Sequence, residues 1–327
     1  MVAAEYGLAD YDLVTLDCAG GGDPSAHADE VARAVAPHLA QRPSLLVVQG
    51  DTSSALGGAL AAFAAAIPVA HVEAGLRTFD PAMPWPEEEF RTAIDAGSTL
   101  LFAPTEISAS NLEAEGVPGS IFVTGNTSID ALLAIAGPQS MRATRPERLK
   151  LLVTCHRRES WGLGLQSIAE ALVELASRHP LDIVLVLHPN PQVARTMQLL
   201  LAGKPGIRLT RPLSHAGMID AMRQADILLS DSGGIQEEAP ALGVPLLVLR
   251  EKTERPEGIA SGNMLLVGTR RKKIVETVER LLHPAVRAAM SRRAFPYGDG
   301  HSADRIAGHI AAFLAAPATD NPHVLRA

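Results

Sequence analysis

Short apolar runs alternate along the whole chain with longer stretches of helical period. The first half carries "YDLVTL" (11–16), "LLVVQG" (45–50), "IPVAHV" (67–72), "LLFAPT" (100–105) and "IFVTGN" (121–126). The second half carries "LKLLVTC" (149–155), "DIVLVLHP" (182–189), "IRLTRP" (207–212), "ADILLSD" (225–231), "PLLVLR" (245–250) and "NMLLVG" (263–268). Between them lie amphipathic segments such as "AHADEVARAVAPHLAQ" (26–41). Runs that are apolar on both faces suit parallel strands covered by helices on either side. The pattern predicts two doubly wound α/β domains of similar size, joined by the polar, Pro- and Arg-bearing stretch "GPQSMRATRPERLK" (137–150). Ligands of such sheets sit beyond the carboxyl ends of the strands, so a cleft between the two domains is the expected site.

Composition narrows the classes of function. A chain of 327 residues is long enough for two cores. With 47% hydrophobic and 20% charged residues it reads as a globular protein. A net charge of −7 argues against a nucleic-acid partner, though not against a small phosphate ligand. Two cysteines, Cys18 and Cys155, lack disulfide or metal spacing, which predicts a reducing, cytoplasmic setting and no metal site. No signal peptide is expected. The most apolar segment, "ALGGALAAFAAAIPVA" (55–70), is broken by Pro68 and falls short of a membrane span.

Many of the unusual residues fall just after the expected strands. Asp51 follows "LLVVQG", where helix capping is the plainer account. Glu73 follows "IPVAHV" and, taken alone, reads as a solvated loop acid. Pro86 suits a first helical position, placing Glu87 and Glu88 in a first turn and Glu87 at i, i+4 from Arg91, with which it is expected to pair. Three acids converging on one cleft are costly unless the site uses them. His156, Arg157 and Arg158 follow the next strand, with Glu159 the nearest counter-charge, which favours an anionic ligand. His188 opens "HPNP", a turn first and a ligand contact second. In "DSGGIQEEAPALG", Ser232, Gly233 and Gly234 would let backbone N–H groups approach a phosphate at a helix N-terminus, with Glu238 one turn on for ribose hydroxyls. Arg250, Lys252 and Arg255 after the following strand point to a nearby diphosphate. Neither a G-x-G-x-x-G turn after a strand nor a G-x-x-x-x-G-K-[ST] loop occurs.

The ordered segments "GDTSSALGGALAAF", "PVAHVEAGLRT", "PWPEEEFR", "FVTGNTSIDALL", "HRRESWG", "SDSGGIQEEAPALGVPLLVLREKTERPEG" and "FPYGDG" make the chain similar to the bacterial non-hydrolysing UDP-N-acetylglucosamine 2-epimerases, from about Tyr11 to the C-terminal helix. The resemblance implies a GT-B architecture of twin Rossmann-like domains, here 1–140 and a UDP-binding 141–303, with a C-terminal helix in 304–327 packing back on the first domain. It implies interconversion of UDP-GlcNAc and UDP-ManNAc for surface polysaccharide synthesis, without a cofactor, in a homodimer, with a second UDP-GlcNAc as activator. Carried over by position, Asp51, Glu73, Glu87 and His156 match the catalytic residues. Arg157, Ser232, Gly233, Gly234, Glu238 and Arg255 match UDP-binding positions, and Arg157 and His188 border the activator. A hydrolysing relative, or a UDP-sugar-binding protein without turnover, are the competing readings. The family's opening strand with its G-T-R-P-E turn, and its T-G-Q-H segment, have no counterpart here, so a member short at the N-terminus with an unpaired sheet edge is expected. Smaller departures are Gln49, Cys155 and "RPLSHAGM" from Arg211.

Overall fold

The computed structural model describes residues 14–18, 22–137, 148–157 and 160–316. Ten strands form two all-parallel sheets. The first has the order β1 (Leu46–Gln49), β2 (Val69–Val72), β3 (Leu100–Ala103), β4 (Ser120–Val123). The second has the order β10 (Met264–Leu266), β9 (Leu246–Val248), β8 (Ile227–Ser230), β5 (Leu149–Thr154), β6 (Leu181–Val186), β7 (Ile207–Thr210). Ten of the eleven expected strands form. The exception is "YDLVTL": Val14–Cys18 carry no strand, and Tyr11–Leu13 lie outside the described residues. Among the described strands β1 pairs only with β2, and Val47 on it is 49% exposed.

Alternation along the strands serves two cores per sheet. In the second sheet Leu151, Val153, Ile183 and Leu229 point to α6 (Leu163–Arg178), α7 (Pro191–Leu201) and α10 (Arg271–Leu282). Leu152, Val184, Leu228 and Val248 point the other way, to α8 (His215–Arg223) and α9 (Gly233–Leu242). In the first sheet Val48 and Val69 pack with α1 (Pro24–Val35), α2 (Ser53–Ala64) and α3 (Glu87–Gly97). Leu101 and Ala103 pack with α4 (Glu106–Glu115). On the opposite face Leu100 and Phe102 meet Ile306 of the last described helix, α11 (Ser302–Ala315), whose His309 ring stacks on Phe122 at 4.0 Å between centroids.

The helix after β4 and the segment around Tyr297, whose carbonyl accepts from Asn126 N at 2.6 Å, hold the lobes together. Helix α5 (Thr127–Ala136) follows β4 yet buries Ile129 and Leu132 in the second sheet's core. There too lies Tyr297, fully buried; its hydroxyl accepts from Gly258 N (2.9 Å) and donates to the Arg255 carbonyl (3.0 Å). The ring thus pins the backbone on both sides of Pro256, next to the Arg255 side chain. Most of the expected join, 138–147, lies outside the described residues.

Tyr297→Phe keeps the ring but leaves a buried N–H and C=O without partners. A loss of about 1–3 kcal/mol is expected from the urea midpoint at unchanged slope. A midpoint equal to that of the parent would show that the hydroxyl contributes nothing.

Candidate functional site at the cleft between the sheets

The carboxyl ends of β1 and β2 face those of β5 and β8. In the second sheet β5 lies between β8 and β6, so its end is the topological switch point, where a crevice opens. After β1 the chain turns through Gly50 (φ +70°) into Asp51. Thr52, not Asp51, caps α2, its hydroxyl accepting from Ala55 N. Asp51 is therefore released from the capping role that local sequence suggests. Its Oδ2 accepts from Nη2 (2.5 Å) and Nε (3.0 Å) of Arg91. This corrects the expected Glu87–Arg91 pair. Arg91 turns inward to Asp51 and Glu88, while Glu87 accepts from Arg157 Nη1 of the other lobe at 2.6 Å. The tertiary partners win because Arg91 is buried, where an i, i+4 surface pair would leave Asp51 uncompensated.

Glu73 stands at the end of β2 with φ +73°, a conformation that costs energy for a residue with a Cβ. It is not a solvated loop acid: its side chain is 16% exposed, and Oε1 accepts from Arg255 Nη2 at 2.8 Å across the cleft. Arg255 also donates to Glu237 Oε1 at 2.7 Å and to Glu254. Burial, then the nearby Glu237 and Asp51 charges, push the Glu73 carboxyl up to about 8 against the pull of Arg255 and Arg91. Burial alone would raise Glu254 as well, but Arg255 and Arg250 more than offset it and hold that carboxyl far below the usual range.

The two glycines of the Ser232–Gly233–Gly234 turn have different reasons. A Cβ on Gly233 would stand 2.9 Å from the Arg255 guanidinium, so this glycine makes room for the arginine. A Cβ on Gly234 would meet nothing within 4 Å, so that backbone faces open space at the start of α9. Glu238 accepts from His215 Nε2 at 2.8 Å, a partner supplied by the divergent "RPLSHAGM" segment. Of the three cations after β9, only Arg255 reaches the acids of the first lobe's strand ends. Arg250 is ion-paired to Glu254, and Lys252 reaches Asp80 at 2.5 Å.

His156 and Arg157 leave β5 with both backbone N–H groups donating to Asp231 Oδ2 at 2.8 Å. The His156 ring stacks on His188, centroids 4.9 Å apart and 9° from parallel. Burial, then proximity to His156, holds His188 below its ordinary pKa. Arg158 and Glu159 lie outside the described residues. A cavity of about 450 Å³ is lined by Asp51, Trp85, Glu87, Phe90, His156 and Arg157. A second, of about 180 Å³, runs from His156 past Cys155, His188, Leu213, Met218 and Ile235. Buried Cys155 has its thiol pushed well up by burial, which makes it a wall and not a nucleophile. No group of three or more metal-ligating side chains occurs among the described residues.

Asp231, Glu237 and Glu254 also belong to the site, as does Arg91 through Asp51 rather than Glu87. Each sits beside a residue that the motifs single out, and only burial separates it from an ordinary surface charge.

A model of the family described as UDP-N-acetylglucosamine 2-epimerase matches residues 5–311. The chain is 44% identical over 286 residues to the UDP-N-acetylglucosamine 2-epimerase of Escherichia coli strain K12, covering 83% of this chain and 76% of that one. The solved structure of UDP-GlcNAc 2-epimerase from Neisseria meningitidis bound to UDP-GlcNAc superimposes with a TM-score of 0.85 at 36% identity, over 93% of this chain and 85% of that one. The Methanocaldococcus jannaschii enzyme in complex with UDP-GlcNAc and UDP gives 0.78 at 33% identity, over 90% and 83%. The twin parallel sheets are of the GT-B type shared by these neighbours. On motifs, fold and likeness over most of its length, the chain belongs to the UDP-N-acetylglucosamine 2-epimerase family.

Proposed function

We propose that this chain inverts C2 of UDP-N-acetylglucosamine, giving UDP-N-acetylmannosamine, by eliminating UDP across C1–C2 and adding it back. The observation that carries this reading is the meeting of Asp51, Glu73 and Glu87 from one lobe with His156, Arg157 and Arg255 from the other across one cleft. The C2 proton has no adjacent carbonyl and is too weakly acidic to leave a stable carbanion. Concerted departure of a phosphate from C1 removes that difficulty and leaves 2-acetamidoglucal.

Inversion requires proton removal on one face of C2 and proton delivery on the other. One acid must therefore be charged while another is neutral. Glu73, held up to about 8, is the neutral partner at pH 7. Asp51, paired with the Arg91 guanidinium, is the acid we assign to the opposite face. Arg255 and the open backbone at Gly234 receive the diphosphate, and the apolar cavity between Met218 and Ile235 receives the base. Glu238 offers its remaining acceptor capacity to the ribose. His156 protonates the departing phosphate oxygen. Arg157 and His188 are the residues we assign to a neighbouring activator UDP-GlcNAc. The product is suited to surface polysaccharide synthesis. We place the domain boundaries near 140 and 303, and a homodimer and cytoplasmic location accompany this reading.

Incubation with UDP-GlcNAc in deuterated water should leave deuterium at C2 of the recovered nucleotide sugars, read by NMR. Release of free ManNAc and UDP would instead identify a hydrolysing enzyme. Glu73→Gln should lower kcat on the order of 10²- to 10⁴-fold with the circular dichroism spectrum intact. Near-parental turnover of that variant would remove Glu73 from the chemistry.

The same variant tests the electrostatics through stability. The native state binds a proton on Glu73 between pH 4.5, the unperturbed value, and about 8, where the unfolded chain does not. Stability therefore falls as pH rises through that window. Glu73→Gln should abolish that part of the fall, so the variant matches the parent at pH 5 and melts higher at pH 9. Parallel melting curves at both pH values would refute the raised pKa.

A further inference from the structure

Asp231 is a fully buried carboxylate at the end of β8 that the proposed chemistry does not use. Its Oδ2 accepts the backbone N–H groups of His156 and Arg157, both at 2.8 Å. Its Oδ1 lies 3.1 Å from His156 Nδ1 and has no hydrogen bond to any other described group. The two atoms lie at ion-pair distance, with a geometry outside that of a hydrogen bond. The His188 ring covers one face of the imidazole at 4.9 Å and is itself oriented by Asn190 N, which donates to His188 Nδ1 at 3.1 Å. Trp161 Nε1 donates to the His156 carbonyl at 3.2 Å, anchoring the backbone from the start of the next helix. The ring is therefore held on one edge and one face, and His156 lines both cavities of the cleft.

We propose that Asp231 is the positioning residue for His156, keeping a proton on Nδ1 so that Nε2 is the nitrogen presented to the cleft. This rests on the reading of His156 as the group that protonates the departing UDP. In that step the N–H bond at Nε2 breaks and an O–H bond forms on the phosphate, while the Nδ1 proton stays beside Asp231 throughout. Addition of UDP reverses the transfer. A buried carboxylate behind an imidazole has two effects: it selects the tautomer, and it stabilises the imidazolium from which the proton departs. Burial by itself would raise the Asp231 carboxyl, but the imidazole and the two backbone donors more than offset this and hold it below the ordinary range, so it stays an acceptor. The alternative is that Asp231 only braces the backbone turn after β5.

The chain has eleven histidines, so the His156 signals are assigned by their absence from the spectrum of His156→Gln. In ¹⁵N-histidine NMR of the parent at alkaline pH, His156 should show the Nδ1–H tautomer; the Nε2–H tautomer would overturn the proposal whether or not any variant folds. Asp231→Asn keeps an oxygen for the backbone donors but faces Nδ1 with an amide. The Nδ1–H signature should be lost, and kcat for UDP-GlcNAc should drop on the order of 10²-fold with KM changed less than about threefold. The double variant Asp231→Asn/His156→Gln should be no slower than His156→Gln alone, because one residue acts through the other. An unchanged tautomer in Asp231→Asn, or losses that multiply in the double variant, would leave Asp231 a backbone brace only. The spectra need no turnover, so a parent that shows the Nδ1–H tautomer but converts no UDP-GlcNAc would remove the proposed reaction and leave the positioning role standing.

Discussion

One guanidinium organises this molecule. Arg255 lies at the cleft with Glu73 of the first lobe and Glu237 and Glu254 of the second all within hydrogen-bond reach. Ionised groups out of water need partners, and an unpaired one is far costlier than a pair. Arg255 and Arg250 supply two positive charges to three carboxylates, leaving one negative charge in excess. The excess falls on Glu73, which burial and the Glu237 charge hold neutral near pH 7. A property that looks like catalytic tuning thus arises as a balance of buried charge.

That balance spans both lobes. Glu73 meets Arg255, Glu87 meets Arg157, Asp80 meets Lys252, Ser128 meets Glu237 at 2.6 Å, and Thr105 meets Glu257. Most of these contacts pair an oxygen of one lobe with a cation of the other. In the reaction proposed above, an entering diphosphate would bring its own anionic oxygens to the same cations and exchange carboxylate partners for phosphate partners. Uncompensated cations are not created in that proposed exchange, and Glu73, one of the two acids assigned to proton transfer, loses its Arg255 partner.

Beneath the acids the backbone is held just as firmly. His71 is fully buried on β2, with Nδ1 2.6 Å from Asp95 and Nε2 2.9 Å from the Gly50 carbonyl. Asp95 also accepts from Gly75 N at 3.2 Å and pairs with Arg77 at 2.7 Å. One carboxylate on α3 therefore ties together the turns that carry Asp51 and Glu73. The strained φ of Glu73 persists because its neighbours on both sides are bonded elsewhere. Rigid strand ends with short, over-determined turns give the site its precision.

Much of this was readable in the chain before any fold was known. The apolar runs marked ten of the strands, because a parallel strand buried on both faces leaves a continuous hydrophobic signature. Asp51, Glu73, His156 and Arg255 stand out as polar residues that follow such runs, where no core demands them, whereas Glu87 stands out only through the resemblance to the epimerases. What the linear order could not supply was partnership. Local spacing paired Glu87 with Arg91, made Asp51 a helix cap and gave Gly233 to a phosphate. Packing instead sent Arg91 to Asp51, capped the helix with Thr52 and opened Gly233 for an arginine. Asp231, Glu237 and Glu254 were indistinguishable from surface acids for the same reason. Desolvation and long-range charge depend on distances between residues as far apart as 73 and 255, and those distances exist only once two sheets face each other across a cleft.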